Sequence, residues 1–243
     1  MTHRKVARDT DKLPAKSSQA DVDAFLAKVA TISPPMKRSG ERGKLIFAMD
    51  ATASREPTWD VATHIQSQMF AETAALGGLD VQLCYYRGFK QFQSTAWLST
   101  AKDLLSTMTQ VTCAAGMTQI ERVLQHTIAE GKRAKVNALV LVGDCMEEDI
   151  DNLCELAGEL GLLGVPAFVF HEGFDPAAEK TFKEIARLTH GAYCRFDAAS
   201  AQHLRDLLSA VAVYAAGGRK ALENFGKRRG GLALQLTHQI NKM

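Results

Sequence analysis

Six short apolar segments alternate with helical patterns along this sequence, and that alternation restricts its fold more than any other feature. Apolar runs of about four to eight residues between turn signals are typical of buried strands. The most apolar run, residues 136–143 (VNALVLVG), is typical of a central parallel strand covered on both faces. The predicted strands are residues 44–50, 79–86, 89–97, 136–143, 165–171 and 192–196.

The connections between these segments predict how the strands pair. Only Arg87-Gly88 separates the second segment from the third, and so short a link suits an antiparallel edge strand. Helical patterns separate the other strands, which indicates parallel pairing through right-handed crossovers. We therefore predict an α/β fold: a doubly wound, mostly parallel six-stranded sheet with one antiparallel edge strand and helices on both faces. The predicted helices begin near residue 57 and then cover approximately residues 99–109, 118–130, 149–162, 177–189 and 200–216.

The ends of the chain differ in composition from its middle. Residues 1–42 are polar and are predicted to form a flexible N-terminal arm with one short helix. Residues 43–216 contain all six predicted strands and form the predicted domain. Residues 217–243 are predicted to form a basic C-terminal tail, whose cationic residues include Arg219, Lys220, Lys227, Arg228 and Arg229.

Charge and composition argue against several classes of protein. The chain has 243 residues and a formal net charge of +2, so no overall field favours nucleic acid or an acidic membrane surface. The basic start of the chain is not followed by the apolar stretch of a secretory signal, and no later run approaches the length of a membrane span. The five cysteines show no CxxC spacing, which favours reduced thiols over a zinc site. We expect a cytoplasmic protein that contacts neither membrane nor nucleic acid.

Oxygen-bearing side chains follow two of the predicted strands. The first strand ends in Asp50, and Thr52 and Ser54 come two and four residues later. Alternate side chains of an extended segment point the same way, so one carboxylate and two hydroxyls can converge. Asp144 follows the fourth strand, and Thr118 precedes a predicted helix in another loop. Because the carboxyl edge of a parallel sheet collects functional groups, these oxygens predict a site for Mg²⁺ or Mn²⁺.

Four segments together resemble the von Willebrand factor A (VWA) domain with its metal-ion-dependent adhesion site (MIDAS), in its bacterial intracellular stand-alone form. They read DATAS, GMTQI, VLVGD and FKEIARLTHGAYCRFD, and the resemblance covers approximately residues 43–216. It implies a divalent cation, Mg²⁺ or Mn²⁺, with one coordination position left for an acidic side chain of a partner protein. It also implies an adaptor or scaffold function. The ligands that the resemblance implies are Asp50, Thr52, Ser54, Thr118 and Asp144.

The sequence departs from the common pattern of that family at four positions. Thr52 replaces a serine and keeps the hydroxyl, Met117 replaces a glycine, and Gly143 replaces a threonine. Cys145 replaces a glycine directly after the third-loop aspartate, where a side chain can crowd the loop. We therefore expect modest metal affinity with the main ligand set retained.

Other interpretations of the same residues stay open at this point. The first loop could simply cap the helix near Pro57, Thr118 could be an N-cap, and Asp144 could belong to a solvated acidic run. As an enzyme, the chain would best suit a Mg-dependent phosphohydrolase with Asp50 as nucleophile. Such enzymes commonly need a second carboxylate at the position of Thr52 and a lysine that we cannot place. We therefore expect a binding protein rather than an enzyme.

Overall fold

The structure, a computed structural model, describes residues 19–32, 42–196 and 201–229. The predicted arm before residue 19 and the tail beyond residue 229 lie outside the described residues. The strands are β1 (Gly43–Asp50), β2 (Leu79–Arg87), β3 (Gln91–Ser94), β4 (Ala138–Gly143), β5 (Ala167–Glu172) and β6 (Ala192–Phe196). The helices are α1 (Gln19–Thr31), α2 (Glu56–Thr73), α3 (Ala101–Met108), α4 (Ile120–Arg133), α5 (Ile150–Leu162), α6 (Pro176–Leu188) and α7 (Ala201–Arg229).

The six strands form one sheet in the order β3-β2-β1-β4-β5-β6. All neighbours pair in parallel except β2 and β3, which pair antiparallel at the edge of the sheet. The predicted fold class is therefore confirmed. The chain leaves β1 for β2 on one side and returns to β4 on the other, so strand order reverses between β1 and β4. This is the position at which open α/β sheets place their sites.

Strand β3 is shorter than the predicted segment 89–97. Gly88 and Lys90 both adopt positive φ angles, of 57° and 60°, so the turn extends up to the start of the strand. Beyond Ser94 the remainder of the predicted strand is irregular, and an isolated bridge joins the next residue, Leu98, to Val81. The physical reason is that polar residues on an edge strand bury little surface, which leaves few side-chain contacts to hold the register.

Both faces of the sheet carry an apolar core because strand side chains alternate in direction. On β1, Leu45, Phe47 and Met49 pack with helices α1, α2, α3 and α7, and the intervening Ile46 and Ala48 pack with α4, α5 and α6. Strand β1 is therefore buried on both sides up to its last residue.

The two terminal helices extend the packed body beyond residues 43–216. Helix α1 buries Val22, Phe25 and Val29 in the core, and the Phe25 ring lies 5.3 Å from that of Phe170. Helix α7 bends at Gly218, whose φ is 70°, and then continues to Arg229 with Leu222 and Phe225 buried. Beyond Gly218 the chain is thus helical and packs on the core as far as Phe225, because apolar residues recur there at helical spacing.

No helix among the described residues is both long and apolar enough to cross a membrane.

Candidate functional site

Strands β1 and β4 are neighbours, and their carboxyl ends bring Asp50 and Asp144 to the same edge of the sheet. Met49 pairs with Val142, so Asp50, the last residue of β1, lies one residue beyond this pair, and Asp144, the residue after β4, lies two residues beyond it. The parallel strands on either side of the reversal point send their following loops apart, which leaves a crevice at this edge. The predicted convergence of the first and third loops follows from this topology.

Asp50 lies almost completely buried, with 1% of its surface exposed. Its Oδ1 accepts a hydrogen bond of 2.7 Å from the Thr52 backbone N–H, whereas its Oδ2 is buried without a partner. Burial raises the pKa of Asp50 from 3.8 to about 6, against the lowering effect of the hydrogen bonds from Thr52. A carboxylate oxygen that is buried and unpaired is unfavourable, which makes this atom a candidate cation ligand.

The two hydroxyls of the first loop continue from Asp50 towards Asp144. Thr52 Oγ1 lies 3.3 Å from Ser54 Oγ, and Ser54 Oγ donates to Asp144 Oδ2 at 3.2 Å. Neither hydroxyl caps a helix: the N-cap positions of the 3-10 turn Ala53–Arg55 and of α2 have no side-chain cap hydrogen bond. Four of the five predicted ligand residues therefore lie together, and the helix-capping interpretation of this loop is not what the structure shows.

Thr118, the fifth predicted ligand, bonds to the loop that follows β4. Its hydroxyl donates to Glu148 at 2.6 Å, and its backbone N–H donates to Glu147 at 2.9 Å. Glu148 also accepts the N–H of Ile120, the first residue of α4, so a glutamate from another loop caps this helix. The N-cap residue is Gln119 and not Thr118. The role of Thr118 as a metal ligand stays a prediction, because in this conformation its hydroxyl bonds to Glu148.

Arg55 contributes a buried positive charge that sequence reasoning did not assign to the site. Only 8% of Arg55 is exposed, its Nε lies 3.2 Å from Asp144 Oδ2, and its guanidinium also forms an ion pair with Glu172. The hydroxyl of Thr58, on helix α2, donates to the same oxygen of Glu172. The sequence signal was the position of Arg55 directly after Ser54, and that of Glu172 at the carboxyl end of a buried strand.

His171 holds the loop that carries Asp144. The imidazole is fully buried at the end of β5, with Nε2 at 3.1 Å from the Asp144 carbonyl oxygen and Nδ1 at 2.9 Å from the Tyr193 hydroxyl. Burial lowers the pKa of His171, which favours the neutral ring. A neutral ring fits both contacts when Nε2–H donates to the carbonyl and Nδ1 accepts from Tyr193.

The structure shows the surroundings of two residues at which the sequence departs from the family pattern. A Cβ atom added at Gly143 would lie 3.6 Å from the Tyr86 hydroxyl and 3.7 Å from the Phe182 ring, so these two large side chains occupy the space beside the strand end. Cys145 is half-buried, and burial together with Asp144 raises the pKa of its thiol to about 12. The thiol therefore stays protonated near neutral pH.

The donor atoms at this edge suit a small hard cation. Asp50 Oδ2 and Asp144 Oδ1 are buried without partners, and hydroxyl oxygens of Thr52 and Ser54 lie beside them. Oxygen-only sets of this kind suit Mg²⁺ and Mn²⁺ rather than softer metals. No cluster of three or more His, Cys, Asp and Glu side chains placed to hold a metal occurs in residues 19–32, 42–196 and 201–229, so a cation here would depend on hydroxyls as well as two carboxylates.

Apolar side chains are exposed on several loops around the same edge. Phe89 and Met117 are 73% and 48% exposed, and Gly116 packs so closely on the Gly88 backbone that these two loops are in contact. Phe174 is 44% exposed on the other side of Asp144, where it lines a cavity of about 360 Å³ together with Arg55 and Glu172. The edge thus combines buried charged oxygens with solvent-facing apolar groups.

No protein-family model matches the chain, and no curated protein matches its sequence. Solved structures do resemble it. The SpRpn10 VWA domain superposes with a TM-score of 0.54 at 16% identity, covering 69% of this chain and 94% of that one. A mutant of the PilB minor pilin from Streptococcus sanguinis gives a TM-score of 0.56 at 9% identity, covering 77% of this chain and 64% of that one.

The pilus adhesin SpaC from Lactobacillus rhamnosus GG, in its open conformation, gives a TM-score of 0.55 at 10% identity. The match covers 79% of this chain but only 31% of SpaC, so the chain spans less than a third of that protein. Identities this low show likeness of fold alone. With its six-stranded sheet and flanking helices, the chain has an α/β fold similar to that of a VWA domain.

Proposed function

We propose that this chain is a metal-dependent protein-binding module that acts as an adaptor and recognises an acidic side chain of its partner through Mg²⁺ or Mn²⁺ at the carboxyl edge of the sheet. The observation that carries the proposal is the pair of unpartnered carboxylate oxygens, Asp50 Oδ2 and Asp144 Oδ1, beside the hydroxyls of the first loop. Buried oxygens without partners call for a ligand that neutralises them.

Residues from three loops would bind the cation. Asp50 and Asp144 would hold the cation, with Thr52 and Ser54 as neutral donors from the short turn after β1. A divalent ion bound this way supplies an electrophilic position to an incoming carboxylate, because two carboxylates only balance its charge. Thr118 would join the set after exchanging its hydrogen bond to Glu148.

The surroundings of the site favour a protein as the partner. Phe89, Met117 and Phe174 expose apolar surface on loops at the same edge. Ile150, the first residue of α5, is also 36% exposed. Interfaces combine a buried polar anchor with aromatic and methionine side chains of this kind. For the cellular location we propose the cytoplasm, in keeping with the resemblance to intracellular stand-alone proteins.

Thermal unfolding with and without Mn²⁺ tests the metal. A cation at 100 times its dissociation constant should raise the free energy of unfolding by about 2.7 kcal/mol, because it binds the folded state. The rise in Tm should disappear in Asp50→Asn and Asp144→Asn. Asp80→Asn is the matched control, since Asp80 pairs with Arg42 at the start of β2. An equal shift in all four proteins would contradict the site.

Affinity capture in Mn²⁺ and then in chelator tests the protein partner. A protein retained by the wild type in Mn²⁺, released by chelator and absent with Asp144→Asn would support metal-bridged recognition. The alternative function, a phosphohydrolase with Asp50 as nucleophile, predicts metal-dependent turnover of a generic phosphate ester that Asp50→Asn abolishes. That turnover would replace the binding proposal by the enzymatic one.

A further inference from the structure

Arg55 occupies an unusual position for a cationic side chain. It ends the 3-10 turn Ala53–Arg55, and its backbone N–H donates to the Thr52 carbonyl at 2.9 Å. The turn that presents Ser54 to the site therefore also places Arg55 beside it. The ion pairs of its guanidinium with Asp144 and Glu172 then hold the side chain between the ends of β4 and β5.

The guanidinium is shared between carboxylates from two different strand ends. It pairs with Asp144 after β4 at 3.2 Å and with Glu172 at the end of β5, and its Nε also lies 3.5 Å from Ser54 Oγ. Two of these three partners, Asp144 and Ser54, are predicted metal donors. With 8% of Arg55 exposed, these pairs are shielded from solvent, so their charges interact more strongly than surface pairs do.

A divalent cation and Arg55 would compete for Asp144: the guanidinium contacts Oδ2, and the cation would bind the neighbouring unpaired Oδ1. Both are positive, both need Asp144, and at a separation of a few ångströms in a partly buried setting they repel each other. Asp50 forms no comparable ion pair with Arg55, and its Oδ2 is buried without a hydrogen-bond partner. The two carboxylates therefore differ: Asp144 is paired with a cationic side chain, and Asp50 is not.

We propose that Arg55 is a built-in counter-ion that determines the cation affinity of this edge. In the metal-free protein it neutralises Asp144 and Glu172, and it weakens the binding of a divalent cation by repulsion and by competition for Asp144. The second part rests on the proposed function, whereas the first part does not. Arg55 is on this argument a specificity-determining residue and not itself a metal ligand.

The first part is tested in chelator, without any metal. Arg55→Gln removes the charge and should lower Tm by roughly 3–8 °C, since each kcal/mol corresponds to about 2–4 °C in a chain of this size. The same change in an Asp144→Asn background should lower Tm clearly less, because one of the two pairs is already lost. Equal losses in both backgrounds would overturn the counter-ion role.

The second part is tested by titration with Mn²⁺, following free Mn²⁺ by electron paramagnetic resonance. Arg55→Gln should bind Mn²⁺ tighter by about tenfold, a change typical of a local coupling between charges. Arg55→Lys keeps the positive charge and should bind Mn²⁺ less tightly than Arg55→Gln does, because the repulsion of the cation remains. Arg187→Gln is the control, because Arg187 forms an exposed ion pair with Glu184 away from this edge.

The possible outcomes separate the two proposals. If the wild type binds Mn²⁺ and Arg55→Gln binds it no more tightly, the inference about Arg55 fails while the metal site stands. If neither protein binds Mn²⁺, the metal-dependent function fails together with the second part. If Arg55→Gln binds Mn²⁺ and the wild type does not, the result would support the inference that Arg55 weakens cation binding. Should Arg55→Gln not fold, the double variant with Glu172→Gln removes one of the two carboxylates that lose their cationic partner, and it takes the place of Arg55→Gln in both tests.

Discussion

Nε2 of His171 lies 3.1 Å from the carbonyl oxygen of Asp144, so a buried imidazole at the end of β5 holds the loop that begins after β4. This side-chain contact joins the end of β5 to the loop after β4, beyond the backbone hydrogen bonds that pair the two strands. It involves the backbone carbonyl of Asp144 and not its carboxylate. The position of that carboxylate therefore depends on a residue that has no direct contact with the other predicted ligands.

His171→Leu should lower the free energy of unfolding by about 1–3 kcal/mol, because it removes a buried hydrogen-bond donor and leaves two polar partners unsatisfied. Urea denaturation measures the loss. His64→Leu is the control, since His64 is exposed and its ring bonds to the carbonyl of Asp60 in its own helix. A loss no larger than that of His64→Leu would show that the contact with Asp144 contributes nothing to stability.

The same residue should make stability depend on pH. Burial lowers the pKa of His171 below its ordinary value of 6.5, so the unfolded chain takes up a proton that the folded chain resists. The wild type should therefore lose stability as the pH falls from 7.5 through 6.5, and His171→Leu should lose less over the same interval. His126, whose pKa burial also lowers, is present in both proteins, so their difference reports on His171.

Asp50 should have the opposite effect in the metal-free protein. Burial raises its pKa to about 6, so the folded chain binds a proton more readily than the unfolded chain. The stability associated with that proton is fully present below pH 3.8 and is lost as the pH rises through about 6. Asp50→Asn should consequently be more stable than the wild type in chelator at pH 7.5, by roughly 1–3 kcal/mol.

The gain from Asp50→Asn should shrink as the pH is lowered to about 4.5, because this pH lies below the folded-state pKa and the wild-type carboxyl is then already protonated. Added Mn²⁺ should reverse the order of the two proteins at pH 7.5, since only the wild type offers the carboxylate. Melting curves at both pH values, in chelator and in Mn²⁺, check the prediction. A variant that is less stable than the wild type in chelator at pH 7.5 would refute it.

Gly116 should not tolerate a side chain. A Cβ atom there would lie 2.2–2.5 Å from the backbone of Gly88. The close contact of these two glycines joins the loop before α4 to the turn after β2. Gly116→Ala should therefore destabilise the protein by roughly 1–3 kcal/mol, because one of the two loops must move. Equilibrium denaturation of the variant and the wild type measures this change.

Gly158→Ala provides the matched comparison. Gly158 lies inside α5 with no atom within 4 Å of an added Cβ, so alanine should stabilise the helix by roughly 0.5–1 kcal/mol. The two glycine substitutions should thus have opposite signs. If Gly116→Ala were as well tolerated as Gly158→Ala, the close contact between the two loops would not exist in solution.

The fold was predictable from sequence because the buried strands are recognisable as apolar runs, unlike the exposed edge strand β3. The run that became β4 is apolar at every position from Ala138 to Gly143, and all six residues are buried. Alternation of strands and helices then leaves few arrangements of a parallel sheet. The continuation of α7 beyond Gly218 was missed, because two adjacent glycines are an ordinary signal for the end of a helix.

The candidate site was predictable only in part. Local spacing was enough to group Asp50, Thr52 and Ser54, and the position of Asp144 after β4 brought it to the same edge. The partners of Arg55 were not predictable, since Glu172 is 117 residues away and no periodicity relates the two. Likewise, Thr118 bonds to Glu148 across a separation of 30 residues. Which polar groups pair depends on the final positions of the loops, which hydrophobic patterning does not encode.

Because β1 is buried on both faces, a ligand at the carboxyl edge of the sheet should affect the surrounding loops more than the strand. Asp50 is the last residue of the strand that is hydrogen-bonded to β2 and β4, so its carboxylate is attached to the part of the molecule that opens last. Asp144 and Thr118, by contrast, lie on connecting segments. A ligand bound at this edge should therefore slow amide hydrogen exchange in residues 114–120 and 144–149. The exchange rates of β1 should stay unchanged and provide the reference.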